Sequence, residues 1–222
     1  DYAKKKGISV VNTPDGPTLP VAELTLAMTM ALLRKIPQAH YNMKNKVWKK
    51  EIGNLLSGKV VGVIGLGRIG KKVASIFRAL GNKVVSYDLM PDNDWATQNS
   101  VAVCSMDEVL KKSDIITLHI PGNADKSPVL SKRELTMMKL SAILINIARG
   151  GVIDEEALYE SLKKLEIGGA ALDVYANEPY EGPLLELDNV ILTPHLGSYA
   201  FEAKLQMEID AVKNLINEIE KS

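Results

Sequence analysis

From Lys59 onward, short, mostly apolar runs alternate with stretches whose apolar residues recur at helical spacing. The runs are 60–65, 83–88, 101–104, 115–120, 142–147, 168–173 and 190–193, and helical patterns lie at about 68–80, 106–112, 131–139 and 154–164. A strand that is apolar on both faces needs cover on both; one with a wet face would alternate apolar and polar residues. Intervening helices supply that cover, together with the crossover that parallel strands require. The expected fold is therefore α/β, a doubly wound parallel sheet.

Ahead of this region, residues 8–20 read as a short apolar strand running into a loop that holds Pro14, Pro17 and Pro20. A helical pattern follows from Val21 to about Trp48, and Pro37 is expected to break or kink it. The first half of that helix is apolar on nearly every side, so either the core of this chain or a second copy must bury it. Residues 200–220 form a further amphipathic helix with a charged end.

Composition narrows the function. Lys and Arg number 27 against 27 Asp and Glu, which gives no basic footprint for nucleic acid or an anionic membrane, so neither is expected as a partner. The longest apolar segment, 21–33, is interrupted by Glu23, Thr25 and Thr29 and falls short of the ~20 residues that a membrane span needs. The lone Cys104 cannot form an internal disulfide or a CxxC metal site. No apolar signal segment opens the chain, and the first residue is Asp1 rather than Met. A cytoplasmic chain whose true N-terminus lies upstream is expected.

The first apolar run leads into Gly65-Leu66-Gly67-Arg68-Ile69-Gly70, followed by the helical stretch 68–80. In that context Gly65 serves a tight turn, Gly67 lets backbone approach a pyrophosphate, and Gly70 lets helix and strand pack closely. The free N–H groups of the helix start stabilise phosphate charge. Asp88, 23 positions after Gly65, ends the next run, where a carboxylate can bind the adenosine ribose and repel a 2′-phosphate. No arginine adjoins Asp88, so NAD is the expected cofactor in a Rossmann-type domain.

Ligands of open α/β sheets bind beyond the carboxyl ends of the strands. That rule gathers His119, Arg149, Asp173, Glu178 and His195 at one rim and leaves His40 in a solvated or partly packed helix. Such a set suits hydride transfer at a carbinol carbon. A neutral imidazole takes the hydroxyl proton, a carboxylate orients it, and a guanidinium polarises the carbonyl and holds an α-carboxylate. Neither HExxH nor Cys/His ligand spacing occurs, so no metal site is expected, and the absence of GxSxG argues against a serine hydrolase.

NTP at 12–14, VAELTLAMTMALLRKIPQAH at 21–40, GKVVGVIGLGRIG at 58–70, INIARGGVIDEEAL at 145–158, GAALDVYANEP at 169–179 and NVILTPHLGS at 189–198 together resemble the D-isomer-specific 2-hydroxyacid dehydrogenases. The resemblance implies that Arg149 binds and polarises substrate and that Glu178 pairs with His195, the proton donor. It implies that Arg68 and Ile69 offer backbone to the pyrophosphate, and that Ile147, Ala148, His119 and Pro121 line the cofactor groove. Asp173 would contact the nicotinamide carboxamide, with Gly197 and Ser198 beside that ring. The implied partners are a small 2-hydroxy or 2-oxo acid and a second copy of the chain, held through the helix starting near Val21. Residues 1–18 would be a remnant of a substrate domain largely absent from this chain, 19–199 the dinucleotide-binding domain, and 200–222 a crossover helix.

The opening segments and PHLGS look most like members that oxidise D-3-phosphoglycerate in the first step of serine synthesis. Glyoxylate or hydroxypyruvate reduction, or an NAD-sensing module of the corepressor type, are the alternatives. Two departures stand out: the glycine loop that holds the substrate carboxylate in relatives has no counterpart here, and Tyr199-Ala200 replaces a small polar residue and threonine. NAD binding with little turnover is expected of the 222 residues alone. No regulatory domain is expected after Ser222.

Overall fold

The computed structural model describes residues 2–220. In chain order the elements are α1 (Tyr2–Lys5), α2 (Thr18–Leu33), α3 (Ile36–Lys44), β1 (Val60–Ile64), α4 (Arg68–Ala79), β2 (Lys83–Tyr87), α5 (Asn93–Gln98), β3 (Val101–Val103), α6 (Met106–Lys112), β4 (Ile115–Leu118), α7 (Lys132–Thr136), β5 (Ile143–Asn146), α8 (Glu155–Lys163), β6 (Gly169–Leu172), a 3₁₀ turn (Pro183–Glu186), β7 (Val190–Leu192) and α9 (Phe201–Ile219). The seven strands form one sheet in the order β3-β2-β1-β4-β5-β6-β7, and every pair is parallel. Gly62 lies between Val85 on one side and Ile116 on the other. The chain reverses its direction of travel across the sheet between β1 and β4, which opens a crevice beyond their carboxyl ends.

Both faces are covered, as the apolar strands require. Val61, Val63, Ile115, Ile143 and Ile145 pack under α2 and α4, with Met28, Leu32, Val73 and Phe77. Ile64, Ile116, Leu118, Leu144 and Leu172 pack on the other face, with Val109, Leu110, Leu158 and Leu162 of α6 and α8. Each of the seven strands expected from Lys59 onward is present but shorter. Gly65, Asp88, His119, Ile147, Asp173 and Thr193 leave the ladder and turn onto the rim. Hydrogen-bonded caps start several helices: Asp92 for α5, Ser105 with Glu108 for α6, and Asp154 for α8.

The structure departs from expectation in two places and adds the short α5. The strand expected in residues 8–20 does not form: 8–11 are irregular with Ile8 and Val10 exposed, since no neighbouring strand is there to pair with them. The helical pattern from 21 is broken at Pro37, as expected, into two helices, and the second ends at Lys44 rather than at about Trp48. Lys35 adopts a left-handed φ of 54° and Pro37 sits in the first turn of α3. A proline ring there would clash with the Leu33 carbonyl in a continuous helix, and that carbonyl instead accepts from Asn54 N–H at 2.8 Å. The short α5 had no sequence signal, because six residues with only Trp95 and Ala96 apolar show no period.

The choice left open for α2 is decided for its inner face. Val21, Ala22, Met28, Leu32 and Leu33 are buried within this chain. The buried hydroxyls of Thr25 and Thr29 donate back to the Val21 and Thr25 carbonyls at 2.8 and 2.7 Å. Among the described residues, no helix is long and apolar enough to cross a membrane.

Candidate active site

β1 ends at Ile64, and Gly65 follows with φ +96° and donates its N–H to the Tyr87 carbonyl at 2.8 Å. A side chain at Gly70 would put its first carbon 1.9 Å from the Gly65 carbonyl oxygen, so only glycine lets α4 sit this close to the turn. Around Gly67 the reverse holds: nothing lies within 4 Å of where a side chain would start. The N-terminus of α4 therefore opens onto free space, and no side chain caps it. Uncapped N–H groups beneath an open approach suit a diphosphate.

Asp88, just past β2, is half-buried. Its Oδ2 accepts from Leu66 N–H at 2.6 Å and its Oδ1 from Met90 N–H at 2.8 Å. The carboxylate thus also ties the glycine turn to β2, a structural duty that sequence did not reveal.

Beside the turn is a groove of about 510 Å³. It brings together Gly67, Arg68 and Ile69 from the turn, His119 and Pro121 after β4, and Ile147, Ala148 and Arg149 after β5. Asp173 after β6 and His195, Gly197 and Ser198 after β7 complete the far side. Gly65, Gly70 and Asp88 stand behind or beside the groove rather than in its wall, and Glu178 borders a second hollow on the other side of His195. Sequence reasoning missed Pro14, Pro17, Val21 and Ile120, which also line the groove. In the sequence the two prolines signal only a loop, and Val21 only a helix.

His195 is the most constrained residue of the set. Its N–H bonds the Thr193 carbonyl at 3.1 Å across Pro194, and its φ is 55°. Its Nδ1 lies 2.9 Å from Glu178 Oε2. The hydrogen bond to His195 holds the Glu178 carboxyl below its usual range against a smaller opposing effect of burial, and the Tyr175 N–H on Oε1 at 3.1 Å helps. An ionised carboxylate only accepts, so Nδ1 carries the proton and Nε2 is left for a reacting group.

Asp173 is fully buried. Its Oδ1 accepts from Thr193 Oγ1 at 2.6 Å and Leu196 N–H at 2.7 Å, and its Oδ2 from Gly197 N–H at 2.8 Å. These three bonds all come from the His195 loop. On the opposite wall, Arg149 donates Nη1 to the Ala148 carbonyl at 3.0 Å and faces no carboxylate partner among the described residues. The buried Asn146, another residue that sequence left without a role, shapes this loop by donating to the Arg149 carbonyl and accepting from Ala148 N–H, both at 3.1 Å. His119 pairs its Nε2 with Thr117 Oγ1 at 2.9 Å, and burial pushes its pKa down to about 3, so it stays neutral. His40 lies exposed on α3, away from the groove. No group of three or more His, Cys, Asp or Glu among the described residues is arranged to hold a metal ion.

Residues 26–197 match the model of the D-isomer specific 2-hydroxyacid dehydrogenase family, NAD binding domain. This chain belongs to that family. D-3-phosphoglycerate dehydrogenase of Synechocystis sp. is 42% identical over 216 residues, covering 96% of this chain and 39% of the relative. Hydroxypyruvate reductase of Thermotoga maritima is 38% identical over 224 residues, covering 98% of this chain and 72% of the relative. D-lactate dehydrogenase from Aquifex aeolicus, solved in complex with NAD and lactic acid, superposes with a TM-score of 0.88 at 32% identity, covering all of this chain and 72% of that one. The chain thus spans about two fifths of the length of the phosphoglycerate dehydrogenase relative. The cofactor of this domain is NAD. The open helix start at Gly67 and the acidic residue at the end of β2 fit that cofactor.

Proposed function

We propose that the chain is the cofactor-binding part of an NAD-dependent D-2-hydroxyacid dehydrogenase and that it carries the residues of its proton chemistry. One observation carries the reading: a His195–Glu178 pair at 2.9 Å stands in the same rim as Arg149, which has no carboxylate partner among the described residues. Bound NAD supplies the hydride acceptor. His195 Nε2 takes the hydroxyl proton as the carbinol carbon is oxidised and returns it in the reverse direction. Glu178 stabilises the charged imidazole, and Arg149 binds the α-carboxylate and polarises the carbonyl with its planar fork.

In the groove, the backbone of Arg68 and Ile69 would hold the diphosphate and Ile147, Ala148, His119 and Pro121 would form the walls, while Asp88, beside the groove, would meet the adenosine ribose. Gly197, Ser198 and Asp173 border the nicotinamide end. We assign residues 1–18 to a remnant of a substrate domain and its linker, 19–199 to the dinucleotide-binding domain and 200–222 to a C-terminal crossover segment.

D-3-phosphoglycerate is the leading substrate, supported by the 42% identity to a protein named for it. The Thermotoga relative, named hydroxypyruvate reductase, supports the second reading. We place the protein in the cytoplasm as a dimer. The Val21 face of α2 is spent within the chain, so a second copy would meet the apolar residues of the following arm, where Trp48 is 79% and Ile52 91% exposed. The test is NADH consumption by the whole protein with 3-phosphohydroxypyruvate, hydroxypyruvate, glyoxylate and pyruvate, alongside NAD titration of this chain. NAD binding without turnover of any of the four acids would refute the catalytic reading.

A further inference from the structure

The three groups assigned to the chemistry come from different strand ends, yet one residue outside the groove touches the loops of all three. Tyr175 is buried, its ring stacked on Tyr180 with centroids 4.5 Å apart. Its N–H donates to Glu178 Oε1 at 3.1 Å, while Oε2 of the same carboxylate holds His195. Its hydroxyl lies 2.9 Å from the Thr193 carbonyl and 3.1 Å from that of Leu172. The Thr193 carbonyl also accepts the His195 N–H, so hydroxyl and imidazole-bearing backbone share one acceptor. Its own carbonyl lies against Gly150, where a side chain would begin 1.7 Å from that oxygen, and Gly150 follows Arg149 directly. Glu155 at the start of α8 holds the turn from behind, accepting the Ala176 N–H at 2.7 Å.

We propose that Tyr175 is a positioning residue for the hydride-transfer reaction, bracing the His195 turn through its hydroxyl and the Glu178 carboxylate through its N–H. The inference rests on the dehydrogenase reading above. A left-handed histidine is costly backbone that persists only where neighbours over-determine it. Asp173 secures the turn from the buried side, and the Tyr175 hydroxyl secures the carbonyl from which the turn hangs. That hydroxyl stays protonated, because burial pushes its pKa up to about 12. No alternative donor to the Thr193 carbonyl, apart from His195 itself, is present among the described residues.

The test is Tyr175→Phe, which keeps the ring and its stacking and removes only the hydroxyl. In the whole enzyme, kcat should fall roughly tenfold with NAD affinity within about twofold of wild type, the signature of a misplaced group rather than a lost domain. In NAD-loaded chain, the downfield NMR resonance of the His195 Nδ1 proton should broaden as its bond to Glu178 loosens. An unchanged kcat with an unchanged resonance overturns the proposal, as does a parallel loss of NAD binding, which would mark a purely structural residue. If wild type turns over no 2-oxo acid, the dehydrogenase reading fails and the resonance alone decides whether Tyr175 braces His195. Glu155→Ala, which frees the Ala176 N–H without touching the ring, gives the same two readouts should Tyr175→Phe not fold.

Discussion

Asp173→Asn separates two duties of one carboxylate. As a cofactor contact alone, residue 173 would change NAD affinity and leave stability untouched. The structure assigns it three bonds from the His195 loop, all to a buried charge. With the amide oxygen placed at Oδ1, the bonds from Thr193 Oγ1 and Leu196 N–H survive but lose their charge assistance, a loss of about 1 kcal/mol each. The amide nitrogen then faces Gly197 N–H, donor against donor, and leaving that buried donor unpaired costs ~1–3 kcal/mol. The sum is about 3–5 kcal/mol, which for a domain of this size lowers Tm by roughly 6–20 °C. The assay is thermal unfolding by circular dichroism without NAD, beside NAD titration. A Tm within ~2 °C of wild type together with a collapse in NAD affinity would refute the argument.

Other substitutions test other parts of the site. His195→Ala in the whole enzyme should depress turnover roughly 10²–10⁴-fold with NAD affinity nearly unchanged, as read by steady-state kinetics and calorimetry, and an equal loss of binding would make His195 structural. Asp88→Ala should weaken NAD and narrow its advantage over NADP, and it should also loosen the turn, because the Leu66 N–H loses its acceptor. A preference unchanged by that substitution would misplace the ribose contact. Glu178 has its carboxyl held low in the folded state, so its pairing stabilises the fold above the ordinary glutamate pKa of ~4.3 and is lost as pH falls through the lowered value. The Tm gap between wild type and Glu178→Gln should therefore be open at neutral pH and close in acid. Because the pair is solvent-exposed, the gap should be small.

The strands were legible because burial on both faces leaves no room for polar residues, so each run announces itself without neighbours. The glycine turn was legible because its reasons are local: Gly65 adopts a positive φ, and Gly70 leaves room for the Gly65 carbonyl where a side chain would collide, both within six residues. What sequence could not show depends on contacts between distant segments. Pro14 and Pro17 reach the groove only because their loop folds over the end of the sheet. The helix break at Lys35 was signalled by Pro37, but the Asn54 N–H that claims the freed Leu33 carbonyl was not. The structural bonds of Asp88 and Asp173 leave no mark in the sequence, since an acid at a strand end looks the same whether it faces a ribose or the N–H groups of its own chain.

That double use follows from the architecture. A carboxylate beyond a parallel strand lies among loops whose N–H groups have left the ladder and need acceptors. Accepting from them fixes the loop and consumes only part of the lone-pair capacity of two oxygens. Asp88 accepts two such bonds and remains half-buried, so it can order the turn and still meet a hydroxyl. Asp173 accepts three and is fully buried, so its carboxylate is committed to the loop that carries His195. A substitution at Asp173 should therefore act first on the turn that carries His195, and a substitution at Asp88 should divide its effect between turn and ligand.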